Sequence, residues 1–543
     1  MASAMEIAMR QMGDLIAAAA SPQSAIDALK AETVTGVFNV ITGYSALPGV
    51  GDNTAAIQAA IDACSAAGGG DVYFPFAGNI SYEISDQLIQ YSNVRLVGAG
   101  AGSIIRSSAS FPAGKQMLRN ATLSGSVDTY YDTNMGIKDL IFDGNNNTLR
   151  TAELVEYLKA SYIKVENVTF RNSSHMGIGF GGCFVVDLID CLFTGLGRPK
   201  PSAVSAPALY VDHASDGSPN KMVTVDNCKF INNNWSGAYF MPQGGSIKNN
   251  CIFLNNGESS IFISDHGQNI KIQESYIYGA VRSNISASGI ECGAPGTIIT
   301  NTHILNCGNS GISLTDVQDV LVDDCIIMNN GQENTYFTGA AGVEVITTAL
   351  SPNQPRNIKI SNSRIGDNQG TKTQQYGFSA GGSGDAMQYI EVFDNNLVGN
   401  VLSPMNIIAS KWGVGCRTTD NAGHASAAPV VGRVQSPAST GNFAVTGIGF
   451  KPRVVELSIT AASASLIQNG TGKMTELAQS STYAATDGTT AVSSVTANKP
   501  LLIRDAANAI VAEASFVSMD QDGFTLNFTT TTARPWITYT AYP

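Results

Sequence analysis

Laid out on the chain's own repeat, two carboxylates (Glu291 and Glu344) and three aromatics (Tyr210, Tyr239 and Phe262) fall on one outward column. A carboxyl pair is what glycosidic hydrolysis requires, one as acid and the other as base or nucleophile. Aromatic faces suit stacking on the apolar C–H surfaces of sugar rings. Rungs of a stacked coil lie ~4.8 Å apart, so Glu291 and Glu344, two rungs apart with Ser313 between them, stand ~9.6 Å apart at the backbone. Side-chain lean can bring such a pair within the ~6.5–9.5 Å of an inverting mechanism. Asp265 and Asp316, at strand ends, are the substitute acids, and Ser313 and His266 join the aromatics as substrate contacts. Asp at such ends also closes turns through the backbone, and Asp212-His213 shares that ambiguity.

The column follows from a recurring phrase: Asp or Asn, then Cys, Ser or Thr, a free position, and Phe, Ile or Leu. It occurs at Asn167–Phe170, Asp190–Phe193, Asn227–Phe230, Asn250–Phe253, Asn301–Ile304, Asp324–Ile327 and Asn362–Ile365, and in looser copies ending at Phe142, Ile277 and Leu397, with steps of 23 to 38 residues. That is a repeat length, not a helix period. Each repeat is made of short β-branched strands and Asn/Gly turns, which excludes a helical repeat. A small or apolar residue falls eight positions after the anchor at Ile178, Ala238, Ile261 and Ile312. Alternation then points the next residue outward, giving Gly179, Tyr210, Tyr239, Phe262, Glu291, Ser313, Glu344 and Ser379. Insertions precede three of these strands, at Thr194–Ala208, Tyr278–Ser288 and Met328–Ala341, and they wall the column into a groove.

Stacked rungs also place Asn172, Asn232, Asn255, Asn306 and Asn329 in a column able to form a hydrogen-bonded ladder. Cys191, Cys228, Cys251 and Cys325 share a position with Ser275, Thr302 and Ser363, so it selects small packed side chains. Nine cysteines without CxxC spacing and five scattered histidines give no expected zinc site, and neither metal nor cofactor is expected.

The 543 residues are 14% charged with a net charge of −12, which argues against nucleic acid. No apolar run reaches the ~20 residues that span a membrane. The N-terminus lacks a basic stretch followed by an apolar core, so no export signal is expected. Lys138, Lys164, Lys248, Lys271 and Lys359 form a solvated charge stripe.

Residues 1–35 are read as a helical neck or cap, with Met5, Met9, Met12 and Ile16 on one stripe. Asn53-Thr54 can cap a helix through Ile57, Ala60, Ile61 and Cys64 that ends at Gly68–Gly70. Residues 36–420 hold the rungs, 421–440 are an Ala/Ser/Gly/Pro linker, and 441–543 alternate as a small β-sandwich that serves trimerisation or carbohydrate binding. The fold class is all-β: a right-handed parallel β-helix with a short N-terminal helical segment and a C-terminal sandwich.

Residues Gly51–Asp62, Gly68–Pro75 and Val94–Gly98 resemble the opening segment of the pectate-lyase-like β-helix superfamily, and with the rungs the likeness covers 36 to about 415. It implies the fold but not the reaction, since that superfamily includes hydrolases, lyases and epimerases. The calcium-binding Asp cluster and Arg base of pectate lyases are not evident. With helical neck, coil and C-terminal β-module in order, the chain resembles a bacteriophage tailspike. That resemblance implies a homotrimer assembled in the host cytoplasm, joined to the virion tail through its N-terminal region. Its substrate is then a capsular or other surface polysaccharide at the host cell surface, without nucleic-acid binding or membrane insertion. Hydrolysis by Glu291 and Glu344 is the first expectation. The alternatives are a polysaccharide lyase using His266 with Arg282, and a spike that binds without cutting. The aligned aromatics also fit a trimer contact.

Overall fold

The computed structural model describes residues 37–123, 129–147, 150–197, 206–280, 287–333, 340–350, 352–423, 430–448, 451–463, 466–486, 491–505, 507–520 and 523–542. The neck read at 1–35 and Arg282 lie outside them. Two compact units divide between His424 and Ala425.

The first unit is a parallel β-helix whose strands stack into three sheets of fourteen, twelve and eleven strands, called here A, C and B. Its recurring Asn or Asp has a local cause. Asn167, Asp190, Asn227, Asn250, Asn301, Asp324 and Asn362 all have φ between 47° and 63°. Each turns the chain from sheet A into sheet B in the left-handed conformation that Asn and Asp tolerate best among residues with a Cβ. The next residue packs inward. Cys191 N–H donates to Cys228 Sγ and Cys228 N–H to Cys251 Sγ, both at 3.4 Å, and none of the nine cysteines is joined in a disulfide. The Phe that closes the phrase stacks on its neighbours from Phe142 through Phe170, Phe193 and Phe230 to Phe253, the last pair 4.5 Å apart.

The asparagine column differs from its sequence reading. Asn172, Asn232, Asn255, Asn306 and Asn329 all have positive φ, so the backbone explains them first. Asn255 reaches Asn232 at 3.4 Å, but the tighter ladder lies one residue on, where buried Asn233 donates to Asn256 at 3.0 Å.

The helix Thr54–Ala66 buries Ile57, Ala60, Ile61 and Cys64 against the coil's first rungs. Asn53 supplies no side-chain cap; Asp52 accepts from Thr54 N–H at 3.0 Å and also ties down Ser85. On sheet A, Lys138 and Lys164 both pair with Glu166, and Lys359 lies over Phe393.

The second unit packs an antiparallel six-stranded sheet on a four-stranded one around Leu457, Ile459, Phe524, Phe528 and Ile537. The supposed linker is partly structured: Val430–Gln435 pairs with Trp536–Tyr542 because Val430 and Val434 alternate onto this core. Among the described residues no helix is long and apolar enough to cross a membrane.

Candidate functional site

Sheet C carries the column in the register read from the sequence. Tyr210 pairs with Tyr239, then Phe262, Glu291, Ser313, Glu344 and Ser379 follow in turn. Their inward neighbours, among them Val211, Phe240, Ile263 and Leu314, are buried apolar groups that fix which face is outward. The ring centroids of Tyr210 and Tyr239 lie 6.3 Å apart, and those of Tyr239 and Phe262 4.7 Å. In the other direction the column continues through Gly179 to Glu156 and Arg119.

At one end of the aromatics the strand Leu209–Asp212 delivers a compact polar cluster. Asp212 Oδ2 accepts the Tyr210 hydroxyl at 2.9 Å, while Oδ1 faces His213 Nδ1 at 3.0 Å and His266 Nδ1 at 3.4 Å. The two imidazoles meet edge to face at 4.9 Å. Their side chains are 24% and 59% exposed, so His266 is the one that faces incoming solute. The support is buried: Asn220 donates to the carbonyls of Phe180 and Asp212 and accepts from Cys183 N–H, fixing the strand's end. Lys159 Nζ, 1% exposed at its side chain, reaches Asp216 at 2.6 Å and Ser218 at 2.5 Å, tying down the loop after His213. Two histidines that look scattered in the sequence therefore meet in space, because the coil brings positions 53 residues apart onto turns only two rungs from one another.

Burial pushes the Asp212 carboxyl up, yet hydrogen bonds from the side chain and backbone of His213, from Tyr210 and from His266 outweigh it and hold it below the usual range. Burial, then the bond to Asp212 and its charge, raises the Tyr210 phenol, so this group is a proton donor at neutral pH. Since both Nδ1 atoms address one carboxylate oxygen, the hydrogen bonds assign the proton to Nδ1 and leave each Nε2 with a free lone pair.

Two pairs of carboxyls flank this cluster. Glu291 accepts from Ser259 at 3.1 Å and Glu344 from Ser310 at 3.1 Å. Each serine belongs to the preceding rung, so both carboxyls lean the same way and keep a separation of ~9.6 Å, two rungs. Burial raises both, opposed by the serine bonds and, at Glu291, aided by Glu258. The second pair was not foreseen. Gly179 has no side chain, and Glu153 lies over it, its Cγ 3.3 Å from where a Cβ would stand. Gln116 donates to Glu156 at 2.7 Å and to Glu153 at 3.5 Å. Burial and the neighbouring Glu153 push Glu156 up to about 7.

Beyond Phe262 a cleft of about 600 Å³ is lined by Phe262, Asp265, Glu291, Pro295, Asp316 and Asn353. Asp265 is exposed there. Asp316 is differently engaged: it has φ 49° and accepts from Thr348 N–H at 2.7 Å, Ala349 N–H at 2.9 Å and the Thr348 hydroxyl. Its carboxylate braces the following turn.

Residues 37–198 match the family described as Rhamnogalacturonase A/epimerase, pectate lyase-like. Residues 153–283 and 279–427, together half of the chain, match Right handed beta helix region. The chain belongs to the right-handed β-helix family. One relative of this β-helix protein is Mannuronan C5-epimerase AlgE1 of Azotobacter vinelandii, 42% identical over 111 residues, or 19% of this chain and 7% of that protein. Among solved structures, the A-module of Azotobacter vinelandii Mannuronan C-5 epimerase AlgE6 is 19% identical with a TM-score of 0.48, over 71% of this chain and 99% of that one. Bacteriophage CBA120 tailspike protein 3 is 13% identical with a TM-score of 0.45, over 70% and 61%.

Proposed function

We propose that the protein acts on a uronate-containing polysaccharide by abstracting the C5 proton of a sugar seated against Tyr210, Tyr239 and Phe262. One observation carries this reading: Asp212 uses one oxygen to orient both imidazoles and the other to hold the Tyr210 phenol. His266 Nε2, the more open lone pair, takes the proton from C5. In an elimination, the C5–H electrons form the C4=C5 bond, the C4–O4 bond breaks, and Tyr210 passes its proton to O4. If the proton instead returns to C5 from the opposite face, the product is the C5 epimer. The name of the relative, a C5-epimerase of mannuronan, supports a uronate and this position. A cleft of ordinary carboxylates would repel such a substrate, but burial and Glu153 push Glu156 up to about 7, so its charge is reduced near neutral pH, and burial raises Glu291 and Glu344 as well.

The reading is tested in D₂O on alginate and on host capsule, with products followed by NMR. Unsaturated ends, or deuterium at an inverted C5, are expected. Cleavage with neither signature refutes it and favours hydrolysis by Glu291 and Glu344. That second reading draws on the burial of both carboxyls, but their parallel lean leaves them at the far limit of the ~6.5–9.5 Å an inverting pair uses.

For the setting we retain the bacteriophage tailspike: a homotrimer on the virion tail, acting at the host surface. The order of the modules supports it, and light scattering of the intact chain measures the trimer.

A further inference from the structure

We infer that Asp212, His213 and His266 form a binding site for one borderline divalent transition ion, of the Zn²⁺ or Co²⁺ class, and that its occupancy switches the proton-transfer site off. Candidate ligand atoms of the three residues all lie within 4.8 Å of one another. The separations from Asp212 Oδ1 to the two Nδ1 atoms, 3.0 and 3.4 Å, match the span between two ligands of one tetrahedral ion, ~3.3 Å for bonds of ~2.0–2.2 Å. Two imidazoles and one carboxylate suit a borderline ion, whereas Ca²⁺ and Mg²⁺ call for six or more oxygens. An outer shell is already present: Tyr210 holds the other carboxylate oxygen, and Asn220 and Lys159 fix the segment that carries Asp212 and His213. The exposed side of His266 leaves room for water on the ion.

The switch follows from the tautomers. An ion bound at both Nδ1 atoms displaces the hydrogens now shared with Asp212, and each neutral ring then carries its proton on Nε2. The lone pair that would take the C5 proton is gone.

The effect on turnover rests on the proposed proton transfer, whereas ion binding does not. Co²⁺ is titrated into the full-length protein, freed of metal, by calorimetry and visible absorption. One ion per chain is expected, with a spectrum typical of low coordination number. His213→Ala and His266→Ala should each weaken binding at least tenfold, while Glu344→Gln, whose carboxyl is held by Ser310 and touches none of the three ligands, should bind as the parent does. Ca²⁺ in excess should not compete. Circular dichroism confirms that each variant is folded. If both histidine variants bind Co²⁺ like the parent, or if no stoichiometric ion binds, the inference is wrong. Stoichiometric Zn²⁺ that stops C5 exchange, with recovery on chelation, supports both site and switch. Binding that leaves turnover intact preserves the ion site and overturns the role of the imidazoles in proton transfer.

Discussion

Tyr210 and Asp212 stand two residues apart on one strand, so both side chains leave the sheet on the same side, and their 2.9 Å hydrogen bond joins the end of the aromatic row to the two imidazoles. Tyr210→Phe removes only the hydroxyl. Turnover is expected to fall ~10²–10⁴-fold as the proton donor is lost. Stability should change by only ~1 kcal/mol, the worth of one hydrogen bond. Product formation and urea denaturation of the two proteins measure this.

Glu291→Gln and Glu344→Gln separate the two chemistries. Proton transfer at Tyr210 and His266 predicts turnover within several-fold of the parent for both variants. Hydrolysis by this pair predicts that each variant loses nearly all activity. Initial rates on a common polysaccharide decide the matter.

Glu156 should leave a mark on stability. Its folded pKa, about 7, lies above the ~4.3 of an unfolded glutamate, so the folded state holds the extra proton between those values. The group's contribution is therefore greatest below about pH 4.3, declines as pH rises toward 7, and is flat beyond. Glu156→Gln should gain ~1–2 kcal/mol on the parent between pH 5 and pH 8, a cautious share of the full linkage. Chemical denaturation at both pH values gives the difference.

The left-handed anchors predict a backbone effect. Asn227, at φ 50°, should tolerate Gly, whereas Asn227→Val should cost ~1–2 kcal/mol because a β-branched residue resists that conformation. Phe230→Ala, which breaks the stack between Phe193 and Phe253, should cost ~3–5 kcal/mol.

Column and coil were legible because two periods act together, the rung length that stacks Asp190, Asn227 and Asn250, and the strand alternation that separates Tyr210 from Val211. Neither period reports where a side chain reaches once it leaves the sheet. His213 and His266 converge on one oxygen from different turns, and nothing in their separate Asp-His pairs announces this. Glu153 is off the column altogether and enters only because Gly179 leaves a gap. Asp316 looked like its neighbours in sequence, and its bonds to Thr348 and Ala349 depend on the path of the following loop. Val430–Gln435 sits in a stretch rich in small residues, whose composition hid a strand of only six residues.

A coil of near-identical rungs exposes at its first turn the same unpaired backbone that every later turn offers to its successor, which makes that turn a template for fibre growth. The helix Thr54–Ala66 lies across that end with Ile57 and Ile61 turned into the core. Its amphipathic face thus closes the apolar core at that end, where bare rungs would otherwise offer a surface for another molecule to extend.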